Sequence, residues 1–379
     1  MVLFLAAYVG IYGCVHTYVF LKIRRSFELG LPLSFLLALF MALMVAAPIL
    51  VRLLEHQAQE GAARTLAYVG FTWMGLVFVF FTLSLVFDIY RLLHYLARLA
   101  WHSPLTHLIP TPGQFCLIAL LLSMAVIAYG YAEALNIRSE HITINTAKLP
   151  EGMARFIIVQ ISDVHLGLIV GQARLARILE KIRMAAPDLL VSTGDLVDGQ
   201  MDSLGPLAGL IRGLPTPHGK FAVTGNHEFY AGLDRALAFT EKAGFTLLRD
   251  QARTIDGMIN IVGMDDPARG RYGLPPSSEK ALLENLPRDK FTLLLKHQPV
   301  VDAASTGLFD LQLSGHVHKG QIFPFSLATR LAYGLPTGLT KLEGGSLLYV
   351  SRGAGTWGPP VRFLAPPEVT VIDLVPMQN

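Results

Sequence analysis

Four long apolar runs, at residues 2–21, 31–51, 66–87 and 115–135, crowd the first third of this 379-residue chain. Each is about the 20 residues that a helix needs to cross a hydrocarbon core. Four such runs with few internal charges are hard to house in a soluble core. Residues 1–138 are therefore expected to form a four-helix transmembrane unit in a multi-pass cell-membrane protein. A cleaved leader fits the first run poorly: Lys22, Arg24 and Arg25 follow it, whereas a leader carries its basic residues in front.

Lys and Arg in short loops set the orientation, because such loops stay in the cytoplasm. The loops after the first and third runs carry Lys22, Arg24, Arg25, Arg91 and Arg98; the loop after the second carries Arg52 and Arg64. This bias puts the first and third loops inside. The N-terminus and, after an even number of spans, the C-terminal domain then face the extracytoplasmic side. Asp88 and Arg91 are three apart, a spacing that could pair them on one helix face, and Asp88 receives no role. Glu133 and His16 lie in or near spans and receive no role. The Pro-punctuated segment 99–113 suits the membrane interface, and residues 139–153, with Pro150, read as a linker.

The charge balance splits at this linker. Before residue 139 there are 8 Lys/Arg and 5 Asp/Glu; from there on there are 23 of each. A neutral domain without a basic stripe is a poor nucleic-acid binder, so no nucleic-acid partner is expected. Cys14 and Cys116 both fall in apolar runs, which leaves the second domain, 154–379, without a thiolate metal site or a disulfide.

In that domain, short apolar runs at 154–161, 188–192, 220–224, 291–296, 309–314, 346–351 and 369–375 read as strands. Leu175, Ile178, Leu179 and Ile182 recur with helical spacing over 172–185, and a second helix is expected at 232–243. Asp256-Gly257 between alternating residues signals a hairpin. Early β/α alternation followed by hairpins argues for a layered α/β domain.

Five polar motifs follow five of these strands: Asp163-x-His165, Gly194-Asp195-x-x-Asp198, Gly225-Asn226-His227-Glu228, His297 and Gly315-His316-x-His318. The carboxyl edge of an α/β sheet is where ligands bind. Carboxylate, amide and imidazole donors without thiolate suit divalent Mn, Fe or Zn. Alternation in Asp163-x-His165 and His316-x-His318 would send both side chains to one side of an extended turn. Glycines 194, 225 and 315 would let the backbone turn sharply before each ligand. Two ions about 4 Å apart can activate a hydroxide and stabilise both oxygens of an in-line displacement. Taken singly, each motif is weak evidence; five in order, each after a strand, are specific.

In this order the segments SDVHLG, TGDLVD, TGNHEFY, KHQP and SGHVHKGQ resemble the calcineurin-like metallophosphoesterase superfamily over roughly residues 154–375, and within it the bacterial membrane-associated phosphodiesterase branch. The resemblance implies a four-layer αββα sandwich of two mixed sheets. It implies that Asp163, His165 and His318 hold one divalent ion, that Asn226, His297 and His316 hold a second, and that Asp195 bridges them. His227 would assist the leaving oxygen, Asn226 would help stabilise the transition state, and Asp198 would orient a ligand or His227. Glu228 reads as a first-turn helix acid. Lys319 departs from the Gly common in this branch and either contacts phosphate or faces solvent.

Two neighbouring features stay open on sequence alone. The apolar residues from Phe323 to Leu335 are either a lip for an acyl chain or membrane, or half of them form a core-facing strand. Arg352 and Arg362 are either phosphate partners or structural. The expected function is dimetal hydrolysis of a phosphodiester or pyrophosphate by in-line attack of a metal-bridging hydroxide. The expected partners are the lipid bilayer and a membrane-proximal phosphorylated substrate, a lipid-linked one among the candidates. The competing readings are a non-catalytic metal-binding membrane scaffold or sensor, and a nuclease, which the neutral domain disfavours.

Overall fold

The computed structural model describes residues 2–101, 110–199, 204–275 and 277–377. Most of the segment read as interfacial, residues 102–109, lies outside the described residues. The chain divides into two compact units, Met1–Ala132 with Gly358–Val361, and Glu133–Trp357 with Arg362–Asn379.

The first unit is helical: α1 (Val2–Ser26), α2 (Leu31–His56), α3 (Glu60–Trp101) and α4 (Pro112–Leu135). All four are long and apolar enough to cross a membrane, over Ala6–Ser26, Leu31–His56, Glu60–Ala100 and Pro112–Leu135. Val19, Met41, Val77, Phe80, Cys116 and Ala119 pack between the helices. Leu33, Phe35, Leu36 and Leu39 face outward, which water would penalise and lipid would not. The Asp88–Arg91 pairing that the spacing allows gives way to a partner on another helix. Asp88 pairs with Lys22 and accepts a hydrogen bond from Tyr18 Oη at 2.6 Å, tying α3 to α1.

The second unit begins earlier than the sequence suggested. Most of the segment read as linker is β1 (Arg138–Thr146), paired in parallel along its whole length with the last strand of the chain. There follow β2 (Phe156–Ile161), α5 (Gln172–Ala185), β3 (Leu189–Ser192), α6 (Gly205–Arg212), β4 (Lys220–Ala222), α7 (Asn226–Tyr230), α8 (Leu233–Lys242), β5 (Thr246–Leu247), β6 (Gln251–Ile255) and β7 (Ile259–Gly263). Then come α9 (Glu279–Glu284), β8 (Phe291–Leu295), β9 (Leu311–Ser314), α10 (Phe325–Tyr333), β10 (Gly338–Lys341), β11 (Leu347–Val350) and β12 (Glu368–Pro376). The predicted helices at 172–185 and 232–243 are α5 and α8. The Asp256-Gly257 signal is the turn between β6 and β7, both residues having positive φ.

Two six-stranded mixed sheets result, ordered β1-β12-β2-β3-β4-β5 and β10-β11-β9-β8-β7-β6. They pack face to face. Phe156, Ile158, Leu189, Val191, Ile261, Leu293, Leu295, Leu313 and Ile372 fill the space between them. Alternation along each strand makes this possible: Phe156 and Ile158 point inward while Val159 and Ile161 serve the outer face, where α5 contributes Leu175, Ile178, Leu179 and Ile182. Helices therefore cover the outer faces of a two-sheet sandwich. Strands β2, β3 and β4 of one sheet and β8 and β9 of the other run parallel within their sheets. Their carboxyl ends are the ends at which the five motifs begin.

The status of β1 can be measured. Ile144 sits in the inter-sheet core at 6% exposure. Ile144→Ala is expected to cost about 2 kcal/mol, against about 0.5 kcal/mol or less for a linker position. Thermal unfolding of the full chain in detergent should show a midpoint lowered by about 4–8 °C; an unchanged midpoint would count against a structural β1.

Candidate metal centre

All nine sequence-predicted residues come together at this shared edge. Asp163 and His165 follow β2; Asp195 and Asp198 follow β3; Asn226 and His227 open α7 after β4; His297 follows β8; His316 and His318 follow β9. Ligand atoms of Asp163, His165 and His318 lie within 4.8 Å of one another, as do those of Asp195, His297 and His316. A third grouping, His165, Asp195 and His227, overlaps both.

The paired ligands reach the site by a route other than the extended turn expected. Asp163, His165, Asp195, His316 and His318 all have φ between 47° and 71°. A left-handed backbone costs a non-glycine residue about 1–2 kcal/mol, so neighbouring contacts must hold these loops. The His316 N–H donates to both Asp163 carboxylate oxygens at 3.0 Å. The Asp163 N–H donates to Gly194 O at 3.1 Å and the His165 N–H to Asp195 O at 2.9 Å. The glycines serve close approach as much as turning. A Cβ on Gly315 would overlap Ser162 Oγ and Asp163 Oδ2, and one on Gly225 would overlap Asp195 Oδ1.

The donor set fits divalent cations. His165 Nε2 faces His318 Nε2 at 3.0 Å, and His316 Nδ1 faces His297 Nε2 at 3.1 Å. Ring nitrogens so close, beside Asp195 Oδ2 at 3.1 Å from His297 Nε2, need a shared cation or proton between them. Asn226 Oδ1 is buried without a hydrogen-bond partner, and so is His165 Nδ1. Leaving a buried acceptor unpaired is costly unless something else satisfies it.

Electrostatics agree with ligand duty. Burial and the nearby His227 charge hold His165 below the usual imidazole range. Burial and Arg362 hold His318 well below it, and burial and His297 hold His316 down to about 4. Each of these shifts favours the neutral ring, the form that ligation requires. Burial opposes charge on His297, but Asp195 outweighs it and raises that imidazole well above its ordinary value. His297 Nδ1 lies 2.8 Å from Thr193 O, which turns Nε2 into the site.

His227 differs from the other imidazoles of the site. Its Nδ1 lies 2.8 Å from Asp198 Oδ1. Burial works against its charge, but Asp195 and the bond to Asp198 outweigh this and lift it to about 9. Its ring packs against Tyr230 and Trp357 at 5.5 and 5.9 Å between centroids.

Two residues named on sequence have supporting roles that the sequence reading did not assign. Glu228 is more than a first-turn acid: its carboxylate accepts from Asp195 N at 2.9 Å, Leu196 N at 2.8 Å and Gly225 N at 2.6 Å. It thus clamps the β3 loop to the start of α7. Burial and the Asp195 charge raise it to about 7 against these donors. The acid at the third helical position of Gly-Asn-His-Glu is a capping-box signal that could have revealed it. Arg362, open between phosphate and structure on sequence, is fully buried behind His318. It donates to His318 O at 3.0 Å, Arg352 O at 2.7 Å and Gly355 O at 2.6 Å. Its Nη2 also lies 3.0 Å from His318 Nδ1, but with Gly355 O as acceptor it does not need the ring. Arg352 pairs with Glu140 and Glu368, away from phosphate duty. Lys319 is half-buried.

Residues 156–320 match the family described as calcineurin-like phosphoesterase. An uncharacterized metallophosphoesterase of Aquifex aeolicus is 40% identical over 68% of this chain and 97% of its own length. The chain belongs to the calcineurin-like phosphoesterase family. Bacillus subtilis YkuE, also named an uncharacterized metallophosphoesterase, is 35% identical over 69% of this chain and 95% of its own. A Danio rerio relative named a transmembrane protein with metallophosphoesterase domain is 30% identical, the match covering 68% of this chain and 62% of that one. The chain is accordingly a metal-dependent phosphoester hydrolase, with residue groups able to hold the dimetal centre typical of this family.

The Glu228 clamp predicts a graded loss. Glu228→Ala leaves four buried N–H groups without their acceptor, Val197 N at 3.4 Å among them, at about 1–3 kcal/mol each if none finds another. Glu228→Gln keeps one acceptor oxygen and should lose less. Unfolding with and without added Mn²⁺ should rank wild type above Gln above Ala, with the Mn²⁺ stabilisation weakest in Ala; equal stability of all three would refute the clamp.

Proposed function

We propose that this chain is a membrane-anchored, dimetal-dependent phosphoesterase that cleaves a phosphodiester or pyrophosphate bond in a lipid-linked substrate. The observation that carries the reading is the His227–Asp198 pair beside two clusters of imidazoles and carboxylates. Asp163, His165 and His318 would hold one ion; Asn226, His297 and His316 the other; Asp195 would serve both. Mn, Fe or Zn suits this thiolate-free set. Bound divalent ions would supply an acidified water nucleophile and positive charge against the phosphoryl oxygens.

The chain's own groups do the rest. His227, kept protonated by Asp195 and Asp198, hands a proton to the departing oxygen; the charge of bound ions would draw its affinity down toward neutrality. Asp198 fixes the ring so that Nε2 is free to face the substrate. The Asn226 carboxamide offers Oδ1 to a cation and its N–H groups to a phosphoryl oxygen. Trp357 beside His227 and Tyr333, whose ring is 5.5 Å from that of His316, narrow the approach of bulk water.

Membrane anchoring is supported by the four membrane-length helices and by the name of the Danio rerio relative, a transmembrane protein with metallophosphoesterase domain. A phospholipid, an isoprenoid-linked phosphate and an acylated sugar pyrophosphate all suit an enzyme held at a bilayer. The Lys/Arg bias of the short loops supports an extracytoplasmic catalytic unit. In a bacterial host an alkaline phosphatase fused to the C-terminus should therefore be active; an inactive but intact fusion would reverse the orientation.

Purified full-length protein with Mn²⁺ is expected to hydrolyse bis-p-nitrophenyl phosphate. Asp195→Asn should lose both metal and activity. His227→Gln should keep its metal while kcat falls by about 10²–10⁴. Equal rates in wild type and Asp195→Asn would remove the hydrolase reading, and substoichiometric metal in wild type would favour a scaffold.

A further inference from the structure

The nine-residue helix α10 buries none of its residues. Leu331 is 88% exposed, Leu327 62% and Phe325 52%. A surface helix ordinarily turns its apolar stripe to the core; here the apolar side chains point away from it, and the alternative of a core-facing strand is gone.

The patch extends beyond the helix. The Phe323 N–H donates to Phe363 O at 3.1 Å, which sets exposed Phe323 close to exposed Leu364. The Gln321 side chain bonds Trp357 N at 2.9 Å and Trp357 O at 2.8 Å, adding a half-exposed indole. Its inner edge meets the site twice, at Tyr333 against His316 and at Trp357 against His227. The rim is also rigid: a Cβ on Gly320 would overlap the Ser326 backbone, so the start of α10 abuts the chain two residues after His318.

We propose that α10, with Phe323, Leu364 and Trp357, is a bilayer-docking surface that seats the mouth of the metal site on the lipid headgroup layer. For the identity of the substrate this rests on the lipid-linked reading above; the docking itself does not. Charge selects the occupant. Residues 319–341 contain Lys319, Arg330 and Lys341 and no acid, within a domain whose 23 positive and 23 negative side chains balance overall. An apolar helix face with cations beside it matches an anionic lipid surface. A second copy fits poorly, because symmetric pairing would bring this acid-free segment against itself. The same chain supplies four membrane-length helices, so a bilayer is a constant neighbour of this domain. Docking would deliver the phosphate of a membrane lipid to the metals without extracting its acyl chains.

The test uses the full chain in nanodiscs containing phosphatidylglycerol, with Cys14→Ser and Cys116→Ala to clear native thiols. A bimane probe is attached in turn at Leu327→Cys, Leu331→Cys and, as control, Met184→Cys on α5, which is 73% exposed. Lipid-borne nitroxide should quench the probes at 327 and 331 several-fold more than the probe at 184, and aqueous iodide should show the reverse order. Equal lipid quenching at all three positions would overturn the proposal, as would excimers between pyrene-labelled copies at 331 without lipid quenching. Leu327→Glu/Leu331→Glu should slow hydrolysis of a phosphodiester lipid in the nanodisc at least tenfold more than hydrolysis of bis-p-nitrophenyl phosphate; an equal effect on both substrates would also overturn it. Probe position does not depend on turnover. An inactive wild type with lipid-quenched probes would sink the hydrolase reading alone, and an active wild type with aqueous probes would sink the docking alone.

Discussion

The catalytic unit is organised around the buried charge of Asp195. Its carboxylate is almost wholly out of water, where an unpaired charge costs several kcal/mol. Burial would raise its proton affinity, yet the charges of His297 and His227 hold it well below the ordinary carboxylate range. The His227 N–H donates to Asp195 Oδ1 at 2.8 Å, while His297 and His165 approach Oδ2 at 3.1 and 3.7 Å. These partners come from three different strand ends in two sheets. The carboxylate can be buried only when both sheets are assembled, and that assembly is what leaves the facing imidazoles in need of cations. Glu228 completes the arrangement by gripping the Asp195 N–H as well as its neighbours, which fixes the backbone from which the charge projects.

The candidate ligand residues could be grouped from sequence because their chemistry and their place after apolar strands are both local properties of the sequence. Asp163, Asp195 and His316 could be placed at one edge without knowing the sheet order, since parallel strands bring their carboxyl ends together. The helpers were less legible for the complementary reason. Glu228 acts on a loop more than thirty residues earlier, and Arg362 reaches back to His318 from beyond β11. Nothing near either residue names its target. The same holds for β1. Its inner face has only two apolar residues, Ile142 and Ile144, its other face is polar, and its partner β12 lies far along the chain. A strand at a sheet edge looks like a linker until that partner is known.

The membrane-length helices were visible from composition, since length and hydropathy are additive along a sequence. Their internal pairing was not. Asp88 lies one helical turn from Arg91 yet pairs with Lys22 and Tyr18 across to α1. In an apolar setting a short, fully paired contact is favoured over a solvated neighbour on the same face. The backbone of the ligand loops was misjudged for a related reason: an extended Asp-x-His and a left-handed Asp-x-His both return side chains to one side. Here the left-handed form also brings the N–H groups of Asp163, His165 and His316 to neighbouring loops.

That geometry makes the two halves of the site near-mirrors. Asp163-Val164-His165 leaves one sheet and His316-Val317-His318 leaves the other, each with left-handed residues on both sides of a valine. They are cross-linked by the His316 N–H to Asp163 and by the His165–His318 approach at 3.0 Å. Each proposed ion would therefore draw ligands from both sheets, so binding a metal also fastens the sheets together. Whatever binds the folded chain more tightly than the unfolded one adds to stability, and here it does so across the inter-sheet core that Ile144, Phe156 and Leu293 already fill. Metal loading and sheet packing would then become one equilibrium. The left-handed strain in the loops is held by the cross-links between them, and bound ions would add to that hold.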